Sequence, residues 1–164
     1  MSNIVYTIIS AADGEMTGKV RLQKVAYVLD LAGLSEPLAH RYYHFGPYSD
    51  IVTNQATEAL SCGLLSVNEV QTEWGGAYTA FKAHKVAPVD DTVSAIVKKS
   101  CSVESVVLEL AATAAYLKQA FGDAAWDETI RRKPLKATSE RIEKAKVFWS
   151  DLRKIQTPKA LPIV

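Results

Sequence analysis

Residues 103–117 read VESVVLELAATAAYL, and this stretch decides the fold class. Apolar side chains recur in it three and four residues apart, which is the spacing that places them on one face of an α-helix. That face consists of Val103, Val106, Val107, Leu110, Ala111, Ala114 and Leu117. We expect a long helix with Ser102 as its N-cap and Gly122 at its end, packed by its apolar face into the core.

The same spacing predicts six further helices on either side of this one. They are expected over residues 2–12, 18–32, 50–62, 91–99, 124–132 and 139–156. The aromatic segment 39–45 favours a short extended stretch, and residues 64–83 alternate around Trp74-Gly75-Gly76 as a β-hairpin does. The chain is therefore predicted to be mainly α within the α+β class, with about seven helices and one hairpin.

The order of these elements suggests how the domain is arranged. Helices followed by a hairpin in residues 1–83 have a winged-helix-like order, and residues 84–156 are typical of an all-helical part. We predict a single domain over residues 1–156. The segment 157–164 contains two prolines and is expected to be a loose tail.

Composition limits the class of protein. The chain has 164 residues, of which 48% are hydrophobic and 23% charged, as in ordinary globular proteins and unlike disordered or collagen-like chains. No run of about 18 apolar residues is present, and Met1-Ser2-Asn3-Ile4 does not open a signal peptide. We expect a cytoplasmic protein without a membrane-spanning helix.

Charge is distributed unevenly along the chain. The first 130 residues hold nine Lys or Arg and 15 Asp or Glu, whereas residues 131–164 hold ten basic and three acidic side chains. A basic segment can dock on the acidic body of its own protein, which we favour, or contact nucleic acid. In the second case the phosphate-contacting residues would be Arg131, Arg132, Lys133, Lys136, Arg141 and Lys144.

No pattern of catalytic residues stands out. The segment Gly14–Val20 has a Gly-Lys pair but lacks the spacing of a phosphate-binding loop, and no Gly-x-Ser-x-Gly motif occurs. His40 and His44 are four residues apart in a segment expected to be extended, where their rings would lie too far apart to share a metal. We predict a protein that is not an enzyme and that needs no metal or cofactor.

The segments Arg21-Leu22-Gln23-Lys24 and Tyr42–Ser49 carry the candidate binding residues. Gly46-Pro47 is expected to bend the chain into a capped helix, close to the polar face of the preceding helix. The candidates are Arg21, Gln23, Lys24, Tyr42, His44, Tyr48 and Ser49. Two interpretations stay open, a partner-binding surface and a polar helix face packed on a rigid turn. We expect Tyr43 and Phe45 in the core and His44 and Tyr48 on the surface.

At these residues the sequence resembles the Panacea domain family, the SocA-like, phage-associated proteins of bacterial toxin–antitoxin and defence loci. The shared pattern comprises Arg21-Leu22-Gln23-Lys24, Tyr27, Gly46-Pro47, Gly63-Leu64-Leu65 and Lys133-Pro134, within a likeness that covers most of residues 4 to 155. Antitoxin members typically carry Ala-Trp ahead of Gly-Pro-Val, whereas this chain reads Tyr43-His44-Phe45-Gly46-Pro47-Tyr48. It is therefore also similar to a branch of uncharacterised bacterial proteins that share the first half.

The resemblance implies a mostly helical domain that works by binding. Family members neutralise a partner toxin directly or deliver it to a protease, and the family has no catalytic residues to carry over. We therefore expect a protein partner, a toxin or effector, with DNA binding through the basic C-terminal segment as the alternative function.

Overall fold

The structure is a computed structural model that describes residues 2–164, and it is mainly helical with a small sheet. In this range the helices are α1 (Ile4–Ala11), α2 (Lys19–Leu31), α3 (Asp50–Ser61), α4 (Asp91–Cys101), α5 (Ser105–Phe121), α6 (Ala125–Arg132) and α7 (Ser139–Arg153). The strands are β1 (Glu15–Thr17), β2 (Arg41–Tyr43), β3 (Gly46–Tyr48), β4 (Leu65–Gln71) and β5 (Ala77–Ala83). The mainly α class predicted from the sequence is confirmed.

Helix α5 lies at the centre of the fold. It packs against α2, α6, α7 and β3, and every residue from 107 to 115 is buried. A helix enclosed on all sides needs apolar or small residues around its whole circumference, and the run of alanines supplies them. The apolar face predicted from the sequence was therefore too narrow. The predicted N-cap was also wrong, because the helix begins after Glu104 and Ser102 lies in the preceding turn.

Three strands form an antiparallel sheet in the order β1-β5-β4. Phe81 of β5 is opposite both Met16 and Val67, so one buried aromatic ring ties the two outer strands together. The β4–β5 hairpin was expected from the sequence, whereas β1 was not. Three residues contain too little alternation for a periodicity argument to detect them.

A second hairpin forms from β2 and β3, with Arg41 opposite Tyr48 and Tyr43 opposite Gly46. The sequence predicted a bend at Gly46-Pro47, but the turn is at His44-Phe45 and the Gly-Pro pair lies in the returning strand. Proline is tolerated there because each strand of a two-stranded ribbon has a free edge that needs no N–H donor.

The C-terminal segment is packed and not loose. The indole Nε1 of Trp149 donates to the carbonyl of Pro162 at 2.8 Å, and the backbone N–H of Lys159 donates to the carbonyl of Ala32 at 3.0 Å. Leu161 is only 4% exposed. The two prolines stiffen this segment, but burial of Leu161 is what holds it against the helices, and composition alone did not reveal that contact.

The core extends through both parts of the chain. One cluster of buried apolar side chains runs from Ile4 to Leu161 in sequence. No single helix of residues 2–164 has the length and apolar content needed to cross a bilayer. Residues Asp91–Cys101 and Ser105–Arg132 would meet that requirement only if counted together across a bend of 117°.

Candidate functional site

The β2–β3 hairpin is seated on the middle of α5 by a close backbone approach. Gly46 has a φ of +97°, a conformation that favours glycine. A Cβ atom at this position would collide with Oγ1 of Thr113 on α5. The hairpin therefore reaches its position only because residue 46 has no side chain.

Lys24 fixes the second strand of the hairpin from below. Its side chain is almost completely buried, and its Nζ donates to the carbonyl of Pro47 at 3.0 Å. Burial lowers the pKa of Lys24 to about 8, against an opposing effect of the Glu109 carboxylate, while Lys133 and Lys136 add to the lowering. Lys24 is thus a structural donor inside the protein.

Gln23 and Ser49 join α2 to the start of α3. The Gln23 side chain donates to the Ser49 carbonyl at 3.0 Å and accepts from the Ser49 N–H at 2.9 Å, and it also donates to Thr53 Oγ1 at 3.1 Å. The Ser49 hydroxyl donates to the Leu38 carbonyl and accepts from the Val52 N–H, which caps α3. The side-chain polar atoms of Gln23 and Ser49 are therefore all hydrogen-bonded within the protein.

Three of the predicted binding residues are therefore corrected to structural ones. Gln23, Lys24 and Ser49 are each at least nine-tenths buried, so none of them lies on a surface where a partner could reach it. Their contacts match the other interpretation of the sequence, a polar helix face packed on a rigid turn. The sequence identified residues that do lie together, but it did not distinguish buried residues that support the hairpin from residues on a binding surface.

Two further candidates are half-buried. Arg21 donates through Nη1 to the carbonyl of Ser100 at 2.9 Å, which links α2 to α4. The hydroxyl of Tyr48 lies 2.8 Å from Thr53 Oγ1. Both side chains therefore hold secondary-structure elements together while part of their surface remains accessible.

The turn of the hairpin exposes aromatic side chains. Tyr43 is 41% exposed and Phe45 is 48% exposed, so the expectation that both are core residues is wrong. Tyr42 is the ring that packs inward, with its centroid 5.9 Å from that of Tyr116 on α5. Because the chain reverses at His44-Phe45, the strand alternation that paired Tyr43 with Phe45 ends before Phe45. His44 is exposed at the turn, as expected.

Cations cover the rings of this hairpin. The guanidinium of Arg41 lies 4.6 Å from the ring centroid of Tyr43 and 5.2 Å from that of Tyr48. The ammonium of Lys136 lies 4.6 Å from the ring centroid of Phe45. These cation–π contacts hold the exposed rings in place and give the turn a positive border.

Lys136 reaches Phe45 from the loop between α6 and α7, which a buried carboxylate secures. Glu109 of α5 is 3% exposed and accepts from Lys133 Nζ at 2.8 Å and from Lys136 Nζ at 3.0 Å. Sequence reasoning missed Glu109, although an acid inside the apolar stretch 103–117 is a usable signal, because a buried carboxylate requires a cationic partner.

Glu128 holds the two arginines at the end of α6. It accepts from both Arg131 and Arg132, with 2.8 Å between its Oε1 and Nε of Arg132. These hydrogen bonds hold the pKa of Glu128 at about 2, well below its ordinary value. Together, the two arginines and Glu128 therefore carry one net positive charge.

The remaining two basic candidates lie further along the chain. Arg141 donates through Nη1 to the carbonyl of Lys136 at 3.2 Å, and Lys144 pairs with Glu140 at 3.0 Å on the exposed side of α7. All six residues expected to contact phosphates thus have partners within the protein. Only Lys133 and Lys136 reach a carboxylate on a remote element, Glu109 of α5, whereas the other four are bonded within their own part of the chain.

The exposed residues of the turn and of the α6–α7 loop form one continuous area, which we call the hairpin surface. It consists of Arg41, Tyr43, His44, Phe45, Leu135 and Lys136. Leu135 is 91% exposed and borders the same depression as His44 and Lys136. The hairpin surface therefore presents two aromatic rings and a leucine framed by cations.

The histidines and carboxylates of the described residues are dispersed. Within residues 2–164 no three His, Cys, Asp or Glu side chains lie close enough together to hold a metal ion. His40 is turned inward, with Nδ1 3.0 Å from Asp30 Oδ2, whereas His44 is exposed. Burial lowers the pKa of His40 in spite of the hydrogen bond to Asp30.

Comparison of the chain with protein-family models, curated proteins and solved structures gives no match. The class of protein is therefore defined by its fold and by the hairpin surface alone. The resemblance to the Panacea domain family stays a prediction.

Proposed function

We propose that this chain is a protein-binding module that acts in the cytoplasm through the hairpin surface. The observation that carries the proposal is the exposure of Tyr43 and Phe45 at the turn, with the exposed Leu135 connected to them through His44 and Lys136. Adjacent exposed apolar side chains are typical of interaction sites, and tyrosine and arginine are enriched among the residues that dominate binding energy. A binding role fits the buried polar residues beneath, which are engaged in holding the hairpin.

The charge around the hairpin indicates the chemistry of the partner. Six cationic side chains surround or underlie it, and three carboxylates accompany them. The cations are Lys24, Arg41, Arg131, Arg132, Lys133 and Lys136, and the carboxylates are Asp50, Glu109 and Glu128. We therefore propose a partner protein with an acidic surface around an apolar centre.

The mechanism that we propose is occlusion of the partner. A preformed surface binds at a lower ordering cost, because the hairpin backbone and its aromatic rings are already held. Together with the resemblance to antitoxin and phage-associated proteins, this supports an antitoxin-like or defence-associated role in which a toxin or effector is covered or delivered to another protein.

The direct test is binding to the protein encoded next to this chain's gene, which a toxin–antitoxin arrangement makes the first candidate partner. We expect a stable complex on co-expression, and we expect Phe45→Ala to weaken it by about 2 kcal/mol or more, as at other aromatic hot spots. Trp74→Ala is the matched control, because Trp74 is 93% exposed but lies at the turn of the other hairpin.

Calorimetry on the purified pair measures both affinities, and rescue of growth measures the effect in cells. If no complex forms with the neighbouring protein, or if Phe45→Ala binds as tightly as the Trp74→Ala control, the proposal is wrong.

A second candidate function is DNA binding, and the order of elements favours it. Apart from the β2–β3 hairpin, which is inserted between α2 and α3, the succession α1, β1, α2, α3, β4, β5 with sheet order β1-β5-β4 is that of a winged helix, in which α3 would enter the major groove. Helix α3, however, contains no Lys or Arg and carries Asp50 and Glu58. A helix that contacts DNA normally brings cations or amides to the groove, so this function ranks second.

A salt titration with duplex DNA tests this alternative. If the six basic residues contacted phosphates, log K would fall against log salt with a slope of about 0.9 per phosphate neutralised. Absence of binding at low salt, or a flat titration, would remove DNA binding from consideration.

A further inference from the structure

An open cavity of about 590 Å³ lies between the β2–β3 hairpin and the C-terminal end of α6. Six residues line it, and three of them are arginine or lysine. They are Tyr42, Tyr43, His44, Arg131, Arg132 and Lys133. We call this the basic cavity.

Arg132 is held on the wall of the basic cavity by two aromatic rings and a carboxylate. Its guanidinium carbon lies 4.7 Å from the ring centroid of Tyr42 and 5.4 Å from that of Phe121. Its Nε donates to Glu128 at 2.8 Å. A guanidinium placed against rings and anchored through Nε can offer its two terminal nitrogens as a preformed fork.

The charge of this wall is not balanced by the protein. Arg131 and Arg132 share one carboxylate, Glu128. Lys133 and Lys136, which lies beside the cavity but does not line it, share another, Glu109. Four cations thus accompany two carboxylates, whose side chains are only 11% and 5% exposed. This group of side chains therefore carries two net positive charges beside the cavity.

We propose that the basic cavity binds a phosphate monoester. A phosphoryl group carries nearly two negative charges at neutral pH and three acceptor oxygens, which matches the two guanidinium groups, of Arg131 and Arg132, that line the cavity. A carboxylate offers one charge and two oxygens and would leave part of this excess uncompensated. The cavity is larger than a phosphate group alone, so the rest of the ligand would lie against the Tyr43 ring.

This inference goes beyond the proposed protein-binding function, since a small phosphate ester can bind whether or not a partner protein does. Calorimetric titration of the full chain provides the test, with inorganic phosphate, phenyl phosphate and adenosine 5′-monophosphate as probes. Phenyl sulfate serves as the probe with the same ring and one negative charge.

We expect saturable binding of phenyl phosphate or adenosine monophosphate, and weaker binding of phenyl sulfate. Arg132→Ala should weaken phosphate-ester binding about tenfold or more, and Arg132→Lys should restore only part of it because the fork is lost. Lys144→Ala is the matched control, since it removes one exposed cation of α7 that does not line the cavity. Thermal melting of each variant verifies that it is folded.

The relative affinities identify the carrier of the phosphoryl group. Tighter binding of adenosine monophosphate supports a nucleotide, tighter binding of phenyl phosphate supports a phosphorylated aromatic group, and equal binding of all three phosphates supports the phosphate alone. The inference is overturned if none of the three phosphates binds saturably, or if Lys144→Ala weakens binding as much as Arg132→Ala does. Neither result bears on complex formation through Phe45, so this inference and the proposed function fail separately.

Discussion

The two hairpins of this protein reach similar exposed ends by different means. The β4–β5 hairpin pairs seven residues of each strand and buries Leu65, Phe81 and Ala83, so it is held by ladder hydrogen bonds and apolar packing. The β2–β3 hairpin pairs only three residues of each strand and is held by buried polar side chains. A hairpin too short to be stable by itself can thus be fixed rigidly when the protein beneath it provides the bonds.

The two hairpins should therefore differ in how much substitutions destabilise them. A hairpin stabilised by pairing of its own strands depends on few specific side chains elsewhere in the protein. A hairpin held by a polar base depends on each donor and acceptor of that base, because an unsatisfied buried group is costly. We therefore expect substitutions under the β2–β3 hairpin to cost much more than matched substitutions elsewhere.

The largest effect is expected at Glu109. Glu109→Gln leaves Lys133 and Lys136 without a carboxylate in a buried site, which should lower the free energy of unfolding by about 3–5 kcal/mol. Glu140→Gln removes an exposed pair with Lys144 and should cost less than about 0.5 kcal/mol. Urea unfolding of the two variants measures the contrast, and equal losses would mean that the polar base does not support the hairpin.

The next effect compares one glycine in each hairpin. Gly46→Ala combines a positive φ with the collision at Thr113 and should cost about 3 kcal/mol. Gly75→Ala has a similar φ of +82° but open space around it, so it should cost about 1 kcal/mol. Urea unfolding measures both values. If the two glycines prove equally sensitive, the close approach of the short hairpin to α5 is not a determinant of stability.

The smallest effect is a change in pH dependence at Lys24. Its folded-state pKa of about 8 lies below the ordinary 10.5, so its burial disfavours the folded state most at low pH and this penalty is relieved as pH rises above 8. Between pH 8 and about 10 the wild type should gain up to about 2 kcal/mol relative to Lys24→Met, in which the residue no longer titrates.

Chemical unfolding at several pH values measures this relative slope. Lys85→Met is the matched control, because it makes the same substitution at an exposed lysine. A Lys24→Met variant whose stability follows the wild type in parallel from pH 8 to about 10 would contradict the proposed burial of the charge.

Much of the fold was predictable because helix periodicity is a local property. The seven helices were expected close to their observed positions, and the β4–β5 hairpin was found from alternation around Trp74-Gly75-Gly76. The strand β1 and the packed tail were not. Both depend on partners remote in sequence, Phe81 for Met16 and Ala32 for Lys159, and no local pattern encodes such a partner.

The candidate site was predictable in location but not in role. The polar segment around Gln23 and the aromatic segment around Tyr42 were recognised, and they do lie together. Tyr43 and Phe45 were predicted to be core residues, but both are exposed. The sequence could not decide this, because aromatic rings occur both in cores and at interfaces.

By itself the sequence determined the helical class, the longer hairpin and the unequal distribution of charge, because each is a property of neighbouring residues. Only the tertiary structure decided that Lys24, Gln23 and Ser49 are buried supports while Tyr43 and Phe45 remain exposed. The physical reason is that burial depends on where α5 and the α6–α7 loop lie relative to the hairpin. The missing side chain of Gly46, which allows contact with Thr113, and the carboxylate of Glu109, which binds Lys133 24 residues away, establish that position.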